Sequence, residues 1–518
     1  MALAVMCSRV LGLGRELILA RLFGAGFAMD AFVAAFRLPN LLRDLFAEGA
    51  LSTAFVTTFS KKIKTEGDES AWALANKVAT LAAIVLSLLT ILGMLLAPQL
   101  IGVLAGGFSP EKREFTVLLA RIMFPFIVMV SLAALVMGML NAKNVFGVPA
   151  MASSFFNLGS IVGGVSIGWW IDPHFGERAL IGLAVGTLIG GTLQLVMQFP
   201  ALSRAGFRFR PDFLWNDPGV RTVLQLMLPA VIAASAVQVN VMVNGRFASG
   251  LGDGPVSWLS YAFRLMQLPL GLFGVAIGTV TLPLISRSAA AGNTEEFRSI
   301  LARGMRLAFL LTVPSTVGLV FLARPIISLI YERGKFSAAS TDQTAAALQF
   351  YALGLVAYSG IKVLAPAFYA IDKRKTPMLV SFGAIGTNLV LNWLFTFKLN
   401  MGHRGLALST GCVALTNFLV LYFLMRKETK RLGTRLMAMT LGKLFVAVLP
   451  LAAVCWVAQN TILAGWSALS FPLKSLYLFA TIGAGSVLFF GSALLLRIDG
   501  LEDVTALLRR KLGRFIKR

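Results

Sequence analysis

Charge is scarce in this chain. Only 14% of its 518 residues are Asp, Glu, Lys or Arg, whereas 57% are apolar, and the mean hydropathy is +0.80. This excludes a soluble domain, whose surface needs far more charge to stay dispersed. Acids are scarcer still, 23 against 47 Lys and Arg, for a net charge of +24. Histidine occurs twice and cysteine three times. His174 and His403 fall in loops, and Cys7, Cys412 and Cys455 fall inside apolar runs, so neither a disulfide framework nor a thiolate or histidine metal site is indicated. There is no P-loop and no acidic metal-binding pair, so ATP hydrolysis and glycosyl or phosphoryl transfer are not expected. Gly164-Val165-Ser166-Ile167-Gly168 spells a nucleophile elbow, but it lies in mid-run away from both histidines and reads as coincidence. No catalytic residue, cofactor or metal is expected, and the chain does not read as an enzyme.

What is present is a nearly unbroken series of apolar stretches close to 20 residues or longer. A bilayer core of about 30 Å takes about 20 helical residues to cross. Backbone polar groups must be satisfied inside hydrocarbon, and continuous rather than alternating apolar runs select helices over a barrel. The fold class is therefore all-α integral membrane, with about fourteen spans. They lie near 2–22, 28–60, 72–104, 113–140, 148–171, 178–202, 219–249, 255–287, 297–331, 341–371, 376–398, 404–425, 436–459 and 472–496. The first starts almost at Met1 without a basic leader, carries Arg9 and reads as a retained helix.

The net positive charge needs no nucleic acid. Cytoplasmic loops collect Lys and Arg. An inside N-terminus places Lys61, Lys62, Lys64, Arg204, Arg208, Arg210, Lys373, Arg374, Lys375, Arg426, Lys427, Lys430 and Arg431 on the cytoplasmic side. Three exceptions remain on the opposite side: Lys112–Arg113, Arg333–Lys335 and Lys398–Arg404. Both termini are expected inside, and residues 499–518 form a basic tail suited to anionic lipid head groups.

The chain also repeats itself. Ala35-Phe36-Arg37-Leu38 of the second span recurs as Ala262-Phe263-Arg264-Leu265 of the eighth, and Phe46 matches Phe273 at the same offset of 227. That offset holds six spans, an even number, so both copies cross in one direction and their symmetry axis should run along the membrane normal. Residues 1–215 then form an N-lobe of spans 1–6 and residues 216–430 a C-lobe of spans 7–12. These two pseudo-symmetric six-helix lobes are followed by two C-terminal helices within 431–498.

Ionisable residues crowd the first two spans: Arg9, Arg15, Glu16, Arg21, Asp30, Arg37, Arg43, Asp44 and Glu48. Half a dozen of them facing lipid would cost on the order of 15–20 kcal/mol, more than ordinary fold stability. They must face one another or a wet cavity. Asp30, Arg37 and Asp44 are spaced by heptads, with Glu48 one turn further, and share a helix face. One reading is a self-neutralising stripe, with Arg37 between Asp30 and Asp44. It leaves Arg9, Arg15, Arg43 and Arg264 without an obvious local acid. Pro39 and Pro269 follow the repeated arginines and are expected to break the helices beside a cavity. A cavity with surplus guanidinium groups suits a phosphate or carboxylate, and a diphosphate head group is the natural class. Gly182, Gly186 and Gly190 form a small-residue pattern expected to serve helix packing.

Ser8-Arg9-Val10-Leu11-Gly12 through Arg15, Phe23-Gly24-Ala25-Gly26, Asp30-Ala31-Phe32, Phe36 to Arg43 and Phe46-Ala47-Glu48-Gly49-Ala50 closely resemble the opening of the MurJ/MviN family. So do Arg264-Leu265-Met266 with Pro269, Gly274 to Thr279, and Lys362 to Tyr369. These are the lipid II flippases of bacterial cell-wall synthesis, in the MOP exporter superfamily. The resemblance implies a bacterial inner-membrane protein, monomeric, with lipid II (undecaprenyl diphosphate-linked disaccharide-pentapeptide) as its substrate and wall-synthesis enzymes as candidate partners. It implies that Arg15, Arg43 and Arg264, with Arg9, hold the diphosphate. Asp30, with Arg37, Glu48, Pro39 and Pro269, would shape or gate the cavity. Spans 13 and 14 would form a groove for the lipid tail. The sequence departs from the family at Asp44, where a second basic residue is common, and at Phe263 and Gln267, where acids are common. Some relatives use sodium; Asn240, Asn244, Asn388 and Asn392 lie in the matching spans without an acid, so sodium coupling is not expected.

Other readings stay open at this point. One is an exporter of drugs or of another lipid-linked glycan on the same fold; surplus arginine disfavours a cavity for cationic drugs. The other is a non-transporting scaffold for wall synthesis.

Overall fold

The computed structural model describes residues 2–45, 51–498 and 500–501. Among them every regular element is helical. Eleven helical stretches are long and apolar enough to cross a membrane, or twelve if Ala338–Leu353 and Leu355–Ala370, bent by 45°, form one span. The expected fourteen is not reached by these criteria, and the shortfall lies in the first two spans. Ala2–Phe23 carries Arg9, Arg15, Glu16 and Arg21, and Phe27–Arg43 is only 17 residues long. The basic tail lies outside the described residues, as does Glu48.

The chain forms two compact units. The first runs to Ser257 and takes in Arg333–Ser337. Its helices are α1 (Ala2–Phe23), α2 (Phe27–Arg43), α3 (Leu51–Glu66), α4 (Asp68–Leu95), α5 (Ala97–Leu104), α6 (Pro110–Met123), α7 (Phe126–Ala142), α8 (Gly147–Ile171), α9 (Ala179–Val196), α10 (Phe199–Arg204) and α11 (Pro218–Ser249). The expected third span is in fact α4 and α5, with the break at Leu96 and Pro98 in the first turn of α5. Proline there forfeits no helical hydrogen bond, because first-turn N–H groups have no intrahelical partner. Ser109 starts α6 and Asp217 starts α11, each accepting a backbone N–H of the first turn.

The tightest packing in this unit joins α8 to α9, and glycine makes it possible. Cβ atoms on Gly182 or Gly186 would collide with the backbones of Gly168 and Gly164. The small-residue pattern thus serves packing as expected, and the two glycines of the apparent nucleophile elbow are its other half. A core of Phe55, Phe59, Leu74, Met139 and Leu140 joins α3, α4 and α7. The α11 helix packs on α3, α4 and α5. Compactness therefore groups the seventh span with the first six, whereas the repeat pairs it with the opening of the second half.

The second unit contains α12 (Pro255–Pro269) from Trp258 onward, α13 (Ala276–Ala290), α14 (Thr294–Tyr331), α15 (Ala338–Leu353), α16 (Leu355–Ala370), α17 (Lys375–Trp393), α18 (His403–Thr429), α19 (Thr434–Ala447), α20 (Leu449–Asn460) and α21 (Phe471–Leu495). Asn293 caps α14 by accepting the Glu296 N–H at 3.1 Å, and its amide returns a bond to the Glu296 carboxylate. Phe309, Phe368, Phe418, Phe489 and Trp466 share one core. Trp466 donates its indole N–H to Ser328 Oγ at 2.8 Å, fixing the α20–α21 connection to α14. The last three helices thus pack directly on the body of this unit.

Candidate functional site

Asp30 lies one turn into α2 and is wholly buried. A buried carboxylate must be neutralised and hydrogen-bonded. Lys112, also buried, donates to Asp30 Oδ2 at 2.9 Å, and the Gly254 N–H donates to the same oxygen at 2.7 Å. The Ser257 N–H donates to Oδ1 at 2.7 Å, joined by the Ser257 hydroxyl. Lys112 reaches the exposed Asp253 as well, at 2.8 Å, and its ammonium stands 4.3 Å from the centre of the Phe108 ring. Removing one member of such a pair costs about 3–5 kcal/mol, because the other charge is stranded. The clasp ties α2, the start of α6 and the turn from α11 into α12 together within the first unit. Asp30 and Ser257 are 227 residues apart, the same separation as the repeated Ala-Phe-Arg-Leu segments of the sequence.

Both acids of the expected stripe meet cations other than the Arg37 between them. Asp30 pairs with Lys112, and Asp44 with Arg43, whose Nη2 lies 3.0 Å from Asp44 Oδ1. Arg43 therefore has a local acid after all. Asn40 and Gln238 also donate to Asp44. Asp44 thus helps hold Arg43 in place. Arg37 points toward α11, where a Cβ on Gly245 would come within 3.0 Å of its Nη1. Arg15 is partly buried, its guanidinium 5.1 Å from the centre of the Phe156 ring on α8, and Arg9 is exposed. Pro39 is buried inside α2, which continues to Arg43.

In the second unit, Ala262, Phe263, Arg264 and Leu265 repeat the burial order of Ala35, Phe36, Arg37 and Leu38. The alanine and leucine of each set are buried, and the aromatic and arginine are partly exposed. Sequence likeness and environment agree at all four positions. Phe263 stands edge-on to Tyr351 with ring centres 5.4 Å apart. Pro269 ends α12, and a wider π-helical turn, Leu270–Val275, follows before α13. The break expected at Pro269 is thus only a local widening within one continuous helical stretch, Pro255–Ala290, and at Pro39 the helix runs on. Asn392 accepts the Ser409 hydroxyl, which ties α17 to α18. No group of three or more His, Cys, Asp or Glu side chains among the described residues could hold a metal ion.

Sequence reasoning missed Lys112, Asp253 and Ser257. The signal for Lys112 was its place among the exceptions to the expected charge asymmetry of the loops.

The lipid II flippase MurJ family profile matches residues 19–477. A lipid II flippase MurJ of Burkholderia cenocepacia is 38% identical over 429 residues, 82% of each chain. A probable lipid II flippase MurJ of Vibrio cholerae is 34% identical, covering 97% of this chain and 95% of its own. A solved structure of lipid II flippase MurJ in an inward closed conformation superposes with a TM-score of 0.73 at 25% identity, covering 95% of this chain and 99% of its own. An inward-facing multidrug resistance MATE transporter of the MOP superfamily superposes with 0.68 at 14% identity over 82% of this chain and 96% of its own, a likeness of fold alone. A match from residue 19, near the end of α1, to residue 477 in the final helix, with Asp30, Arg43 and Arg264 inside it, leaves one conclusion: this chain belongs to the lipid II flippase MurJ family.

Proposed function

We propose that this chain, a multi-pass protein of the bacterial inner membrane, moves lipid II from the cytoplasmic to the outer leaflet by alternating access. The family match across nearly the whole chain carries this reading. The chemistry supports it: a diphosphate bears the charge that a surplus of guanidinium groups requires, and arginine forks match its oxygens. Arg15 and Arg43, with Arg9, supply those groups from the first repeat and Arg264 from the second. Asp44 orients Arg43, and Asp30 acts through the clasp, shaping the site rather than touching substrate. Both termini face the cytoplasm, the chain acts as a monomer, and helices α19–α21 accommodate the lipid tail. Lipid head-group charge offsets arginine repulsion and permits closure behind the substrate. A potential negative inside favours resetting the empty cationic site, at about 2.3 kcal/mol per charge moved across 100 mV. Anionic lipids meet the basic cytoplasmic loops.

The test uses bacterial cells depleted of their own lipid II flippase, with lipid II exposed on the outer face as the readout. The native chain restores exposure and Arg264→Ala does not. If both restore it, the arginine clamp is wrong. If neither does despite normal insertion, another lipid-linked glycan or a scaffold role replaces this reading.

A further inference from the structure

Arg333–Lys335 is the second basic pair on the side opposite the charged cytoplasmic loops, and the proposed function does not use it. It lies in a short strap, residues 333–337, between α14 and α15. Both helices belong to the second unit, while the strap itself clusters with the first.

The strap docks on the end of α1 through two glycines that fit no other residue. The Lys335 N–H donates to the Arg21 carbonyl at 2.9 Å. Gly334 has φ +60°, and a Cβ there would collide with that same carbonyl. Gly24, the residue that ends α1, has φ +69°, and a Cβ there would collide with the Lys335 carbonyl. The Lys335 ammonium then reaches over the α8–α9 turn to the carbonyls of His174 and Phe175, at 3.1 and 2.8 Å. Phe175 in turn stands edge-on to Phe23, with ring centres 5.9 Å apart. The neighbouring Phe336 is buried.

These bonds differ in kind from the Asp30 clasp. Lys335 is exposed, and its bonds run to peptide carbonyls that water can take over when they part. The Asp30–Lys112 pair is buried, and parting it would strand two charges. One attachment is built to hold and the other to let go.

We propose that the 333–337 strap is a releasable latch on the end of α1. It must disengage once in each transport cycle, with Lys335 as its positioning residue. This rests on the alternating-access reading above. In the closed latch the Lys335 head group spans α1 and the α8–α9 turn; on release its bonds pass to water.

The experiment starts from the full chain carrying Cys7→Ser, Cys412→Ser and Cys455→Ser. Arg21→Cys and Lys335→Cys then place two thiols one backbone hydrogen bond apart, within disulfide reach. In cells depleted of their own flippase, oxidation lowers lipid II exposure at least tenfold and reductant restores it. A disulfide confirmed by gel mobility that leaves exposure unchanged overturns the latch. If neither the native chain nor the reduced pair exposes lipid II, the transport reading fails, and spin labels on the same two cysteines in liposomes decide the latch separately. Two distance populations, the shorter depleted by Gly334→Ala, uphold it. A single distance, or one that Gly334→Ala leaves unmoved, overturns it.

Discussion

Lys112→Met asks whether the buried clasp is a working part of the fold. The substitution keeps the length of the side chain and removes its charge. Asp30 then remains wholly buried, with the Gly254 and Ser257 donors but no cation. Breaking a buried pair costs about 3–5 kcal/mol, and the three surviving donors place this case at the lower end. About 3 kcal/mol corresponds to roughly a 150-fold shift in the folding equilibrium. Asp30→Asn should be milder, about 1–2 kcal/mol, because the side chain still accepts hydrogen bonds and hydrogen-bond losses are of that order. Lys112 would also keep Asp253, which is exposed enough for water to share the load. Combining the two substitutions removes both charges, so the double variant should be more stable than the sum of the single costs by about 2 kcal/mol. Denaturant titration of purified protein in mixed micelles, followed by tryptophan fluorescence and circular dichroism, measures all three. A cost below about 0.5 kcal/mol for Lys112→Met, a level typical of plain surface substitutions, would refute the argument. Strictly additive single and double variants would refute it as well.

Asp217 supplies a pH test. Burial pushes its carboxyl up, but the hydrogen bonds from Lys77 and the Gly219 N–H and the charges of Lys77 and Lys62 outweigh that and hold it below its ordinary value. A carboxyl depressed in the folded state stabilises at neutral pH, and the contribution fades as pH falls through the folded pKa. The native chain should therefore lose stability below about pH 4, while Asp217→Asn starts lower at pH 7 and declines less steeply. Thermal melts from pH 7 to 3 compare the slopes, and identical slopes would remove Asp217 from the account. At the α8–α9 crossing, Gly186→Leu forces a side chain into backbone and should cost about 3 kcal/mol, at the top of the overpacking range, or prevent folding. Gly483→Leu, where a Cβ meets open space, is the control; equal melting temperatures for the two would contradict the packing role.

The parts legible in the sequence share a short range. Apolar runs mark helices because crossing a bilayer is a local requirement, and the small-residue pattern of α9 marks packing because one helix face sets it. The widened turn after Pro269 follows from a missing N–H. What stayed hidden depends on distant partners. Heptad spacing put Asp30, Arg37 and Asp44 on one face, but the cation that meets Asp30 comes from 82 residues away on α6. No periodicity within α2 encodes that. Asp44 found its partner next door, in Arg43. The repeat assigns α11 to the second half, while the compactness that draws α11 onto α3 depends on side chains of both helices. The expected charge asymmetry of the loops was another long-range signal: two of its exceptions, Lys112 and Lys335, are bonded.

The Asp30 clasp also bears on the order in which the chain assembles. Its donors lie 82 and 227 residues downstream of the carboxylate. A carboxylate buried without its cation is costly, so Asp30 keeps its water until α6 and the turn from α11 into α12 are in place. The buried seat of α2, one of the first helices made, is thus completed only after the chain as far as Ser257 has been synthesised.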